Sequence, residues 1–160
     1  MLSDYDLFRR LRARGQARGA KGMTDLAAAL VLVTGEPFTR LREPGWSWLL
    51  EGERVDHTIT CAIVDVGHIV KTHALAADDL DLARAAVEKT YTAAPYDEVA
   101  RLDLIQVAAV TGHSELAERH LVDGIFNRTD DDYGPIDLPE RTADIVKQRG
   151  WDRPPNRKRG

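Results

Sequence analysis

A period of 34 residues constrains this chain more than any other feature of its sequence. Superposing 79–95 on 113–129 brings Leu82 onto Leu116, Ala83 onto Ala117, Val87 onto Leu121 and Tyr91 onto Ile125. The preceding segments align too, Val70 on Leu104 and His73 on Val107. Apolar spacing is helical nearly throughout and strand-type alternation is almost absent, so each cycle reads as a helix–turn–helix unit of an all-α fold. A small residue at the Ala83/Ala117 position lets the second helix of each hairpin approach the first closely. Gly112, followed by Ser114 as cap, marks the tight turn between hairpin partners.

The rest of the chain can be parsed around those two cycles. Ser3 with Asp4 and Asp6 reads as a helix start, with Leu7, Phe8 and Leu11 as the buried stripe and Arg9, Arg10, Arg12 and Arg14 mostly around the other side. Gly15, Gly19 and Gly22 fray that helix. Thr24 or Asp25 caps a second one through Val33, which Gly35 and Pro37 stop. This pair reads as a third, looser copy of the hairpin. After a loop over 36–45, a long helix runs from about 47 to 76. Ile59, Ala62, Ile63, Val66, Ile69, Val70 and His73 share one face, and Cys61, Val64, His68 and Leu75 the opposite one, which places it between neighbours. Helices over 79–93, 97–111 and 114–128 follow, and after an acidic loop at Asp130–Asp132 a last one runs from Pro139 to Gln148. A 34-residue helical period is the spacing of tetratricopeptide repeats, and three stacked pairs are about what a solenoid needs. The expected fold is therefore a tetratricopeptide-like α-solenoid of about three helix pairs plus a C-terminal helix. Residues 1–150 form a single domain, and 151–160 a basic, disordered tail.

Composition narrows the class. A chain of 160 residues holds one domain. Its 43 % apolar and 30 % charged residues exclude wholesale disorder. A single cysteine, Cys61, excludes a disulfide framework and a cysteine zinc site, and fits a reducing cytoplasm. No uninterrupted apolar run approaches the roughly 18 residues of a membrane helix; the longest is Leu26–Val33. The expectation is a soluble cytoplasmic chain with no membrane partner. Its net charge of −4 is segregated: residues 1–22 carry six Lys/Arg against Asp4 and Asp6, and 147–160 six against Asp152 alone, around an acidic middle. Such ends suit either a polyanion or attraction between copies of the chain.

Enzymatic and metal chemistry find little footing. His57 and His68 share a face but lie about 16 Å apart along a helix, and His68 and His73 diverge, so neither pair has the i, i+4 geometry of a zinc site. Cys61, Asp65 and His68 span about 10 Å, too far for a nucleophile and its base. A buried structural cysteine is the reading for Cys61. Residues 15–22 miss the phosphate-loop pattern by one residue, and Gly22 stands where the hydroxyl belongs. The Asp130–Asp132 run fails a calcium loop at Thr129 and Tyr133. Tyr91, Tyr96 and Phe126 fit core or inter-repeat positions. No cofactor and no catalytic residue is expected.

The repeat carries further motifs: Leu-Val-Thr-Gly-Glu-Pro-Phe at 32–38, Pro44-Gly45-Trp46 leading into the long helix, Ala94-Pro95-Tyr96-Asp97-Glu98 between cycles, and Gly112-His113-Ser114-Glu115-Leu116-Ala117. Together, over roughly 5–128, they resemble the bacterial transcriptional activator domain, the helical repeat domain that follows the DNA reader in antibiotic-regulatory activators of actinomycetes. The resemblance implies a non-enzymatic regulatory module acting through protein contacts, free-standing or the C-terminal part of a larger protein. Only a few residues precede the first helix, so DNA binding does not carry over from those activators.

On this reading a protein or peptide partner lies in the groove of the first helices. The candidate contacts are Trp46, Trp48, Asp65, His68, Lys71, Thr72, Arg101, Asp103 and Gln106. Self-association is a complement. The alternative is nucleic-acid binding through the basic ends, by Arg9, Arg10, Arg12, Arg14, Arg18, Arg157, Lys158 and Arg159.

Overall fold

The computed structural model describes residues 3–39, 54–122, 129–130, 134–135 and 140–151. They form α1 (Asp4–Ala17), a 3-10 turn (Gly19–Gly22), α2 (Met23–Val31), α3 (Val55–Ala76), α4 (Leu80–Ala93), α5 (Glu98–Val110), α6 (Ser114–Leu121) and α7 (Glu140–Gln148). Thr129–Asp130 pairs antiparallel with Gly134–Pro135, the one β feature among the described residues. The fold is all-α, as the apolar spacing requires. Helix α1 begins where its sequence dictates: the Ser3 hydroxyl accepts from the Asp6 amide at 3.2 Å, and Asp4 and Asp6 occupy the positive first turn.

The helices pack most heavily on their chain neighbours, α1 on α2, α3 on α4 and α5 on α6, with α4 on α5 and α2 on α3 joining the pairs. Helix α3 also meets α5, and α2 meets α4. The 34-residue period has a structural counterpart in the turns. After α3, Asp79 N–H donates to the Ala74 carbonyl at 2.8 Å; after α5, His113 N–H donates to Ala108 at 2.8 Å. Ala77 to His73 and Thr111 to Val107 repeat in the same way, as do Asp78 to Leu75 and Gly112 to Ala109. Each turn puts one residue in the left-handed region, Asp78 at φ 58° and Gly112 at φ 82°. Glycine enters that region freely, and aspartate is among the few residues that tolerate it. Ala83 and Ala117 are both buried against the preceding helix.

The first pair closes by a different route. Rather than fraying α1, Gly15 and Gly22 are buried at a close approach: a Cβ on Gly22 would overlap the Gly15 carbonyl, and one on Gly15 would lie 2.6 Å from Leu26 Cδ2. Neither Thr24 nor Asp25 caps α2. Gly22 holds that position without a side-chain bond, while Asp25 faces Arg14 and Arg18. At the other end, Lys89 Nζ on α4 donates to the Val33 carbonyl at 2.9 Å, placing a cation on a carbonyl just past α2.

Apolar burial divides along the chain. Phe8, Leu26, Leu30, Ile59, Ile63, Val66 and Val70 belong to the main core between α1 and α4, and Leu102, Ile105, Ala117, Leu121 and Val146 to a second one between α5, α6 and α7. Helix α3 is long and apolar enough to cross a membrane by length and composition, with half of that stretch buried inside the fold. Its buried positions fall on both expected faces, Ile59, Ala62, Ile63, Val66 and Val70 on one and Val64 on the other.

Three expected burials and one expected cap fail. Leu7 is 37 % exposed, because Phe8 takes the inward position on α1. His73 turns outward although its partner in the period, Val107, is buried. Tyr96 is 81 % exposed, with the Arg101 guanidinium over its ring. Ser114 is the first residue of α6, and His113 takes the cap position without a side-chain bond. Tyr91 does bridge elements, its ring edge-on to His120 of α6 at 6.0 Å. Phe126 lies outside the described residues.

Candidate functional site: a cleft between α3, α5 and α7

Helix α3 exposes one continuous stripe, in which His57, Cys61, Asp65, His68 and Thr72 recur at spacings of three and four. Helices α1 and α5 flank it. On the α1 side Arg12 reaches Asp65 at 3.4 Å. On the α5 side the contacts are tighter. Asp103, 5 % exposed, accepts from Lys71 Nζ on Oδ1 at 2.7 Å and from His68 Nδ1 on Oδ2 at 2.7 Å. Lys71 Nζ also donates to Gln106 Oε1 at 2.9 Å. Four of the groove candidates, His68, Lys71, Asp103 and Gln106, thus form one network between two helices.

Within it the roles separate by burial. Lys71 is 2 % exposed and, like Asp103, was expected on the groove surface; both are interior. Their charges offset each other, which a buried ion must have to remain charged. The His68 side chain is half exposed and lies at the edge of the network. Arg101 turns away, its Nε donating to the Pro95 carbonyl at 2.7 Å. Trp46 and Trp48 lie outside the described residues.

His68 and Asp103 open onto a cleft of about 570 Å³, lined also by Val99 and Leu102 of α5 and by Asp144, Ile145, Gln148 and Arg149 on the α7 side. Helix α7 is seated beside α5 by Val146, packed in the second core, and by Thr142, whose hydroxyl donates to Glu98. It forms a wall of the cleft rather than filling it. Arg149 lies over the Trp151 ring at 5.6 Å. A larger cleft of about 700 Å³, between the start of α1 and the turn after α2, is floored by Phe8, Val33, Ile59 and Ile63, and Thr39 on its edge leads into residues 40–53.

Sequence reasoning missed the α7 contribution, because nothing in a linear pattern says against which pair a terminal helix packs. It also missed a second arrangement. Cys61, expected to be buried, is exposed, and its Sγ lies 3.7 Å from Nδ1 of His57 one turn earlier. Their i, i+4 spacing was the available signal. No group of three metal-ligating side chains gathers among the described residues.

The arginines of α1 have partners within the chain. Arg14 grips Asp25 with two nitrogens, Nε at 2.9 Å, and Arg18 reaches the same carboxylate at 3.3 Å. Arg9 stacks over Tyr5, and Arg12 pairs with Asp65. Arg10 acts electrostatically on Asp6. The Arg14 hydrogen bond, against the opposing effect of burial, and then the charges and contacts of Arg14 and Arg18 hold the Asp25 carboxyl below its ordinary value. Arg157, Lys158 and Arg159 lie outside the described residues.

Compared with known proteins, the chain matches no family model, no curated protein and no solved structure.

Proposed function

We propose that this chain is a non-enzymatic regulatory interaction module, a tetratricopeptide-like stack of helix pairs whose α3, α5 and α7 side receives a peptide or helix of another protein. The observation that carries the reading is the cleft itself, onto which two of the sequence-derived groove candidates, His68 and Asp103, open from a network that Lys71 and Gln106 complete behind them. Val99, Leu102 and Ile145 offer an apolar floor, and His68, Asp144, Gln148 and Arg149 offer polar groups that can orient a bound chain. That mixture is what a recognition site needs. The repeated turns 34 residues apart, and the resemblance to the bacterial transcriptional activator domain, support the same class. A cytoplasmic regulator of transcription, acting through a protein partner, is the functional context this suggests.

Nucleic-acid binding through the basic ends stands second. The intramolecular engagement of the α1 arginines counts against it, since a side chain held by Asp25 or Asp65 must give up that partner to take a phosphate.

Peptides selected from a random display library on the intact chain test the first reading. Binding should fall at least about tenfold, the cost of about 1.4 kcal/mol, in Val99→Asp and Arg149→Glu. Val31→Asp, at a 71 % exposed position on α2, should leave it unchanged. Selected peptides indifferent to both cleft changes would overturn the assignment of the site. Fluorescence anisotropy of a labelled duplex at about 50 and 200 mM salt tests the second reading. A flat titration is expected, and binding that fades with salt would favour nucleic acid.

A further inference from the structure

The geometry at His68 points to a chemical role in addition to a docking surface. Asp103 is buried and its carboxylate only accepts hydrogen bonds, so the His68 nitrogen that meets it at 2.7 Å, Nδ1, carries a proton. In the neutral ring the lone pair is then on Nε2, the nitrogen directed away from the carboxylate. A buried carboxylate fixing the tautomer and orientation of a half-exposed imidazole is the arrangement by which a histidine is set up as a nucleophile or base. Lys71 and Gln106 complete the support, since Lys71 holds the other carboxylate oxygen and Gln106 holds Lys71.

The surroundings select the chemistry. Metal ligation lacks a set of ligands among the described residues. Phosphoryl transfer asks for less: a positioned nucleophile and positive charge near the transferred oxygens, because its transition state is loose and its charge is spread over those oxygens. Arg149 lines the same cleft and is exposed, and the Lys71 ammonium offsets the Asp103 charge behind the ring.

We propose that His68 is a phosphoryl acceptor at Nε2, taking the group from a small phosphoramidate-type donor. With a phosphoramidate, the Nε2 lone pair attacks phosphorus and forms the N–P bond. The donor's P–N bond breaks, and its electron pair leaves with ammonia. The Nδ1 proton stays in the hydrogen bond to Asp103, so the positive charge of the new phosphoimidazolium faces that carboxylate. Asp144, in the same cleft, opposes an incoming anion, and Arg149 attracts it. The proposal stands whether or not a partner occupies the cleft, because the reaction is read on the free chain.

The experiment is incubation of the full chain with potassium phosphoramidate, with sites mapped by fragment mass spectrometry under alkaline conditions that preserve phosphohistidine. The other four histidines are internal controls, and three of them, His57, His73 and His113, are also exposed. His68 should be labelled first. Asp103→Asn should slow its labelling about tenfold or more, the scale on which a carboxylate that orients a histidine acts. Because that change also disturbs the buried Lys71, two exposed positions provide independent readings: Arg149→Gln should slow labelling at His68 alone, and Asp144→Asn should speed it. Uniform labelling, or preference for another histidine, would overturn the proposal. So would a His68 rate indifferent to Arg149 and Asp144.

Discussion

At Gly67 the absence of a side chain decides how closely α3 and α4 can cross. A Cβ there would occupy the position of Thr90 Oγ1, which is buried on the facing helix and donates to the Ala86 carbonyl at 2.8 Å. The contact is backbone against a short, β-branched side chain, with little freedom to move aside. Gly67→Ala should therefore destabilise the chain by about 1–3 kcal/mol, the usual cost of overpacking, despite the higher helix propensity of alanine. Removing the opposing group should recover part of that loss: in urea denaturation, Gly67→Ala with Thr90→Ala should cost less than the sum of the two single changes. Strict additivity would mean that the two residues do not compete for the same space. Little in the sequence singles out Gly67, since a helical glycine reads only as a weak point until the facing helix is known.

At the scale of elements, the α1–α2 hairpin shows how a charge cluster replaces a cap. Asp25 stands where a helix start was expected, yet it ties α2 back to Arg14 on α1 and to Arg18 at the C-terminal cap of that helix. Its carboxyl is held below the ordinary value of 3.8. A depressed carboxylate contributes stability that is fully present above the unfolded pKa and lost as pH falls through the folded one. Asp6, held low by the Ser3 hydroxyl, acts in the same direction. Thermal stability should thus be level from neutral pH to about 5 and decline below about 4, where the unfolded carboxyl begins to take up protons. Asp25→Asn should lower Tm at neutral pH and flatten the decline. An unchanged slope in that variant would place the acid sensitivity elsewhere. The arginine stripe on α1 was legible in the sequence, but the partners of Arg12 and Arg14 lie 53 positions away at Asp65 and on the next helix at Asp25, so a solvated or phosphate-binding face was the natural reading of a run in which those two charges are paired internally.

Across the whole molecule, the two cores set where the fold is firmest. Among the described residues, twelve buried apolar side chains from α1 to α4 form the largest cluster and six join α5, α6 and α7, with two smaller clusters linking α3 and α4 to α5. Native-state hydrogen exchange should therefore show the slowest amides in α3 and α4 and faster, sub-global opening in α6 and α7. Equal protection through to α7 would make the chain a single cooperative unit and remove that gradient. Such a gradient would place the α7 wall of the cleft at the less protected end.

The order of the helices, the turns after α3 and α5 and the 34-residue period were determined by sequence alone, because helical spacing, the αL residue at 112 and the aspartates at 79 and 97 act through near neighbours. The turn between α1 and α2 depends instead on a close approach of Gly15 and Gly22. Asp79 and Asp97 cap α4 and α5 through amides three residues on. Burial along one face was also readable wherever apolar residues recur at three and four. Which of two apolar faces wins, and what a polar residue does when it is turned inward, depend on helices far away in sequence. Hence His73, Tyr96 and Cys61 came out exposed, and Lys71 and Asp103 buried. The His68–Asp103–Lys71–Gln106 network joins positions 35 apart, and its cleft needs α7 from further still. Only the packing of one helix on another determines such contacts, because a periodic pattern records which way a side chain faces along its own helix and not what stands opposite it.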